Sequence, residues 1–286
     1  MEILLLSFVF VFVFGLIIGS FLNVLILRWN IGQSLDGRSG CVSCEKKLSW
    51  YELIPVFSYL SQLGRCRGCK KKISIQYPIV EIITGIVFVL GASHVIDTVT
   101  ASGMVEGILS WKVGISLISL LATLSILVAI FVYDLYHKII PDRWSLAFAI
   151  SSLVYSLSLY SWTESFNDPK LYIHILSGLI LFLPFYLLWK VSNGTWIGLG
   201  DGKLAVGIGF LLGLLPGMSA IVFSFWIGAA FAILIMLISR LELLPSRITM
   251  KSELPFGPFM IISTLIVLLT GISATDVINW LSNLFI

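Results

Sequence analysis

Long stretches without a charged side chain alternate with short polar ones along this chain. Residues 3–27, 82–96, 113–133, 144–163, 171–189, 204–239 and 254–275 contain no Asp, Glu, Lys or Arg. A helix needs about 20 apolar residues to cross about 30 Å of hydrocarbon. Run 204–239 is too long for one crossing, and Pro216-Gly217 is the expected break. Run 82–96 is short but extends back through Ile79 and Val80 if Glu81 lies near the interface. The pattern predicts an all-α polytopic membrane protein with about eight transmembrane helices. Each would satisfy its backbone hydrogen bonds internally, as hydrocarbon requires.

Composition agrees with the pattern. With 58% hydrophobic and 12% charged residues, the chain is far more apolar than a soluble globule, and a net charge of +3 gives no footing for nucleic acid. Basic residues orient the spans. If the N-terminus lies outside, sixteen of the 18 Lys and Arg fall on the cytoplasmic side, leaving only Lys112 and Lys170 outside. Eight spans then return the C-terminus to the outer face. The first span carries Glu2 instead of a basic flank and is followed by Arg28, unlike a cleaved signal peptide. The expected organisation is a first transmembrane helix over 1–27, a cytoplasmic insert over 28–77, and a seven-helix membrane domain over 78–286.

All four cysteines lie in that insert, as Cys41-Val42-Ser43-Cys44 and Cys66-Arg67-Gly68-Cys69. Two C-x2-C turns can each present two thiolates, and together they complete a tetrahedron around Zn²⁺. Neighbouring Lys and Arg favour thiolates and offset the charge of such a centre. Two disulfides or four free thiols are the alternatives, and the reducing cytoplasm disfavours the first. With four thiolates the zinc would be structural, a staple for an insert too small to fold on its own core.

Ionisable groups at the ends of apolar runs carry the remaining chemistry. Asp134 ends run 113–133, and Asp201, within Gly198-Leu199-Gly200-Asp201-Gly202-Lys203, opens run 204–239. Both fall at cytoplasmic ends, at matching depth. Two carboxylates brought together cannot both ionise, so one holds a proton and the pair can serve as acid and base. Asp142, after Pro141, reads as a helix cap. G-x-S-x-G, H-E-x-x-H and Walker motifs are missing from the sequence.

The order of these motifs resembles the type IV prepilin peptidases, a family of membrane aspartic proteases. It begins at Gly19-Ser20-Phe21-Leu22-Asn23-Val24 and runs through the two Cys pairs, with Ile54 to Leu60 between them. It continues through Tyr77-Pro78-Ile79-Val80-Glu81, Asp134 to Asp142, Gly198 to Lys203 and Pro255-Phe256-Gly257-Pro258-Phe259. The resemblance implies an enzyme of the cell membrane that removes the basic leader of prepilins or pseudopilins after a Gly. Its catalytic aspartates match Asp134 and Asp201, and zinc is implied at Cys41, Cys44, Cys66 and Cys69. Members with the cysteine module commonly N-methylate the new N-terminus with S-adenosylmethionine.

Three positions depart from the family's usual pattern. Asn30 and Glu45 stand where Pro is common, and Gly202 where a larger residue follows the aspartate. A proton-coupled transporter with a zinc-stapled regulatory insert is the alternative reading. If the chain is a peptidase, Glu45, Glu52 and Glu81 are the acidic residues available to read a basic leader.

Overall fold

The computed structural model describes residues 2–29, 37, 39–41, 43–101, 111–163, 169–240 and 254–284. Among them the fold is helical throughout, with only two isolated β-bridges. The helices are α1 (Glu2–Arg28), α2 (Phe57–Ser61), α3 (Gln76–Ala101), α4 (Trp111–His137), α5 (Asp142–Thr163), α6 (Pro169–Ser192), α7 (Leu199–Leu212), α8 (Leu214–Arg240), α9 (Gly257–Thr270) and α10 (Ala274–Leu284). The chain divides into two compact units: Met1–Ser110 with Leu120–Val132, and Trp111–Ser119 with Tyr133–Ile286.

In the first unit, α1 and α3 run antiparallel, meeting at successive turns through small residues. A Cβ on Gly15 would stand 2.7 Å from Gly85 Cα, and one on Gly19 2.7 Å from Glu81 Cα. One turn further, Asn23 Nδ2 donates to the Tyr77 carbonyl at 3.1 Å. Small residues permit such backbone approach in a bilayer, where apolar burial gives helices no reason to associate. Leu120, Leu124 and Leu127 of α4 are fully buried in this unit, and Leu124 fills the notch at Gly91.

The second unit is built around α7. Leu204, Ala205 and Ile208 are buried, and Gly207 and Gly209 lie against Phe148 of α5 and Gly178 of α6. The carbonyls that α7 leaves open at its C-terminal end are closed by neighbours. His174 Nε2 lies 2.8 Å from the Phe210 carbonyl, and Ser177 Oγ donates to that of Gly209 at 2.7 Å.

Two expected boundaries move. The long run 204–239 breaks at Gly213, not at Pro216-Gly217. Gly213 has φ +82°, open to glycine alone, whereas Pro216 sits in the first turn of α8, where a missing N–H costs nothing. Run 254–275 ends its first helix at Gly271 (φ +68°) and bends 78° into α10. Among the described residues, five helices are long and apolar enough to cross a membrane, or six if α9 and α10 count as one broken span. The 14-residue α7 covers only about 21 Å.

Candidate active site

Asp134 and Asp201 both lie in the second unit, brought there from opposite kinds of helix end. Asp134 occupies the last turn of α4, which Lys138 closes with a left-handed φ of +54° and an N–H donated to the Asp134 carbonyl at 2.8 Å. A carboxylate at a helix C-terminus faces the negative end of the peptide dipoles. That disadvantage is offset by α9, whose first residue, Gly257, donates its backbone N–H to the Asp134 carboxylate. Asp134 is only 3% exposed.

Asp201 is the third residue of α7, and its carboxylate reaches back to the N–H of Gly198, the N-cap. This is one half of a capping box, and it explains locally why an Asp follows Gly-x-Gly. The charge of Asp134 acts on Asp201, so the two carboxyls share one electrostatic environment. Ile140 completes the setting: a Cβ on Gly200 would stand 3.2 Å from its Cβ, and one on Gly257 3.1 Å from its Cδ1. Two side-chain-free backbones, Gly200 beside Asp201 and Gly257 against Asp134, therefore flank one buried isoleucine.

Lys203 does not neutralise the dyad. Its Nζ lies 2.6 Å from Asp142 Oδ1, a pair at the rim with Asp142 74% exposed. Asp142 is thus the first residue of α5 with its carboxylate committed to Lys203, in place of the expected cap ahead of Arg143. Gly202 is buried against Phe182 and Phe185, which occupy the space a larger residue would need. Gly257, Gly198 and Ile140 escaped notice as site residues in the sequence. The Pro255–Phe259 segment was the available signal, but nothing in it says which side chain its N–H groups face.

In the first unit, the four cysteine sulfurs lie within 4.8 Å of one another. The two knuckles are built alike. Cys41 N–H donates to the Lys46 carbonyl and Glu45 N–H to that of Cys41; Cys66 N–H donates to Lys71 and Lys70 N–H to Cys66. The residue four past each first cysteine, Glu45 or Lys70, has positive φ (+55° and +60°), which also explains why Pro cannot stand at Glu45 here. Cys41 and Cys69 Sγ are 3.8 Å apart, and Cys44 and Cys66 Sγ 4.0 Å. A tetrahedron with zinc–sulfur arms of about 2.3 Å has edges of about 3.8 Å, so the sulfurs fit that metal. The N–H groups of Cys69 and Gly68 pull the Cys66 thiol down to about 6. At Cys44 the Lys46 N–H also favours the thiolate, but burial and the three other sulfurs outweigh it and raise the thiol to about 11. Full ionisation of the set calls for a cation at its centre.

The acidic residues considered for a basic leader are mostly committed elsewhere. Glu52 Oε2 accepts from Ser49 N–H at 2.9 Å, with Lys46 Nζ 3.5 Å from Oε1. Glu81, 6% exposed, accepts from Val56 N–H at 2.7 Å and from the Ser20 hydroxyl.

Comparison with known proteins finds two family matches, one holding the cysteine module and one holding both aspartates. Residues 13–95 match the bacterial peptidase A24 N-terminal domain, and residues 121–233 match the type IV leader peptidase family. A prepilin leader peptidase/N-methyltransferase of Bacillus subtilis is 30% identical over 91% of this chain and 93% of its own length. One from Aeromonas salmonicida is 31% identical over 94% and 93%. A Myxococcus xanthus protein of the same name is 32% identical over 80% of this chain, and the match spans 63% of that relative's length. No solved structure matches the chain. By these matches and by the arrangement of its aspartates and cysteines, the chain belongs to the type IV leader peptidase family.

Proposed function

We propose that this protein is a membrane aspartic endopeptidase that removes the basic leader of type IV prepilins or pseudopilins after a Gly, and N-methylates the new N-terminus. The convergence of Asp134 and Asp201 on one glycine-lined setting carries the reading. One carboxylate takes a proton from water as that water attacks the scissile carbonyl. The other, protonated, gives its proton to the carbonyl oxygen; as the C–N bond breaks, the first passes the proton it took from water to the leaving nitrogen and the second recovers its own from the collapsing hydroxyl. Gly257 N–H steadies the Asp134 carboxylate, Gly198 N–H that of Asp201, and the bare backbones at Gly200 and Gly257 leave room for an extended peptide.

The substrate has a basic leader and an apolar helix, so its scissile bond belongs at the membrane interface. The bias of Lys and Arg supports a cytoplasmic side for both aspartates and the cysteine module. Cys41, Cys44, Cys66 and Cys69 would hold one zinc ion, with no open position for catalysis. For the second activity, S-adenosylmethionine supplies an electrophilic methyl group. The transporter reading has no support in these matches, which are to peptidases throughout.

Purified protein incubated with a synthetic prepilin and S-adenosylmethionine tests the proposal. The wild type should release the leader and methylate the product, and Asp134→Asn or Asp201→Asn should abolish release while the protein stays folded. Normal cleavage by either variant would refute the dyad.

A further inference from the structure

The dyad accounts for peptide cleavage and leaves the second activity without residues. Methyl transfer to an amine needs a group that holds the nitrogen with its lone pair free. The first unit contains three anomalies around the contact of α1 with the N-terminal part of α3: two on those helices and one in the turn before α2 that Glu81 of α3 binds.

The first anomaly is Asn23, fully buried. Its Nδ2 donates to the carbonyls of Gly19 at 3.2 Å and Tyr77 at 3.1 Å. Both partners are acceptors only, so the amide can sit one way round, with Oδ1 as the remaining atom. Asn23 Oδ1 is buried with no hydrogen-bond donor among the described residues. The second is Gln76 Nε2, beside Tyr77 in sequence and likewise buried without a partner among them. Buried polar atoms are nearly always satisfied, and each orphan is costly unless something else binds there. The third is Val56. Its φ of +61° and ψ of −51°, with Phe57 N–H bonded to the Pro55 carbonyl, make a strained γ-turn at a β-branched residue. That turn is pinned by its N–H to Glu81, which Ser20, three residues before Asn23, also binds. Strain of this kind persists where the surroundings impose it, commonly at functional sites.

We propose that this cluster is the methyl-acceptor site, in which Asn23 Oδ1 accepts an N–H of the cleaved peptide's free α-amine and the Val56 turn is the cover that moves to admit it. The proposal rests on the methyltransferase reading above. A neutral amide oxygen suits this role because it orients the amine without favouring the ammonium form, as a carboxylate would, and only the neutral amine is nucleophilic. The nitrogen lone pair forms the new N–C bond. The C–S bond of the sulfonium donor breaks with its electron pair left on sulfur, and the methylated ammonium releases a proton to water. Glu81, already committed to Val56 and Ser20, is a positioning residue that holds the cover.

The test separates this site from the reading it rests on. Wild-type enzyme should cleave a synthetic prepilin and methylate the product; without methylated product, the methyltransferase reading fails. Given that activity, Asn23→Ala should keep cleavage within about threefold and lower the methylated fraction about tenfold or more. Asn23→Asp should move the pH profile of methylation to higher pH and leave that of cleavage in place, because a carboxylate stabilises the ammonium. With no methyl donor present, wild type should bind the mature peptide with a free amine better than its N-acetyl form, and Asn23→Ala should lose that preference. Methylation unchanged in folded Asn23→Ala, or an unshifted profile in Asn23→Asp, overturns the proposal. If neither variant folds, a product peptide carrying a short cross-linker at its amine decides on wild type. Adducts within residues 19–27 or 54–81 support the site, and adducts elsewhere overturn it.

Discussion

Gly257 lies so close to Asp134 that a Cβ on it would stand 2.5 Å from Asp134 Oδ2, while its own N–H donates to that carboxylate. The first turn of α9 is thereby a support for an aspartate carried on another helix. A methyl group on Gly257 must displace either the carboxyl or the helix. Gly257→Ala should therefore reduce leader cleavage by about 10²-fold or more, the usual cost of a misplacement of about 1 Å at a catalytic group. Comparable cleavage rates for this variant and wild type, at matched folding, would remove Gly257 from the site.

The rim pair should matter far less. Lys203 and Asp142 meet where Asp142 is largely exposed, and exposed ion pairs contribute about 0–1 kcal/mol. Asp142→Asn should leave cleavage within about fivefold of wild type, with a modest dependence on salt, in contrast to complete loss for Asp134→Asn. A rate measured across a salt series checks both halves of the contrast.

The cysteine knuckles predict a metal. Protein purified without chelators should carry about one zinc per chain. Cys66→Ser should lose it and lower the thermal midpoint, since binding and folding are coupled in small metal modules. Metal analysis together with thermal unfolding of wild type and variant reads both effects. Intact disulfides in place of zinc would reject the centre and the cytoplasmic placement of this segment.

Glu52 makes part of the module sensitive to pH. The Ser49 N–H, reinforced by Lys46, holds its carboxyl below the usual carboxylate range. Its contribution is fully present above the unfolded glutamate value of about 4.3 and is lost as pH falls through the lower native value. Glu52→Gln should cost about 1 kcal/mol of local stability at pH 7, the usual size of a helix cap. The difference from wild type should shrink toward zero in acid. Hydrogen exchange across residues 45–72 at several pH values measures that difference, and zinc loss, common to both proteins, cancels from it.

Much of this was legible in the chain because the bilayer imposes strong local rules. Charge-free runs marked α1, α3, α4, α6 and α8, since hydrocarbon tolerates neither charge nor unpaired backbone. Two C-x2-C pairs announced a cluster, since each tight turn already holds two sulfurs on one side. The positions of Asp134 in the last turn of α4 and Asp201 in the first turn of α7 followed from where their apolar runs stop.

Contacts between distant segments were not legible, because they depend on which helix faces which. The sequence alone favoured Pro216-Gly217 as the break, but Pro216 has no N–H to lose in a first turn, and only the backbone at Gly213 shows where the chain reverses. It placed Lys203 beside Asp201, yet the folded side chain reaches Asp142 on α5. It offered Glu81 as a group for a substrate, whereas packing of α1 on α3 spends that carboxylate on Val56 and Ser20. Gly257 at Asp134 and Asn23 between Gly19 and Tyr77 are decided by tertiary structure alone. A hydrogen bond needs two groups within about 3 Å, and no spacing along one chain sets the distance between helices that meet only when folded.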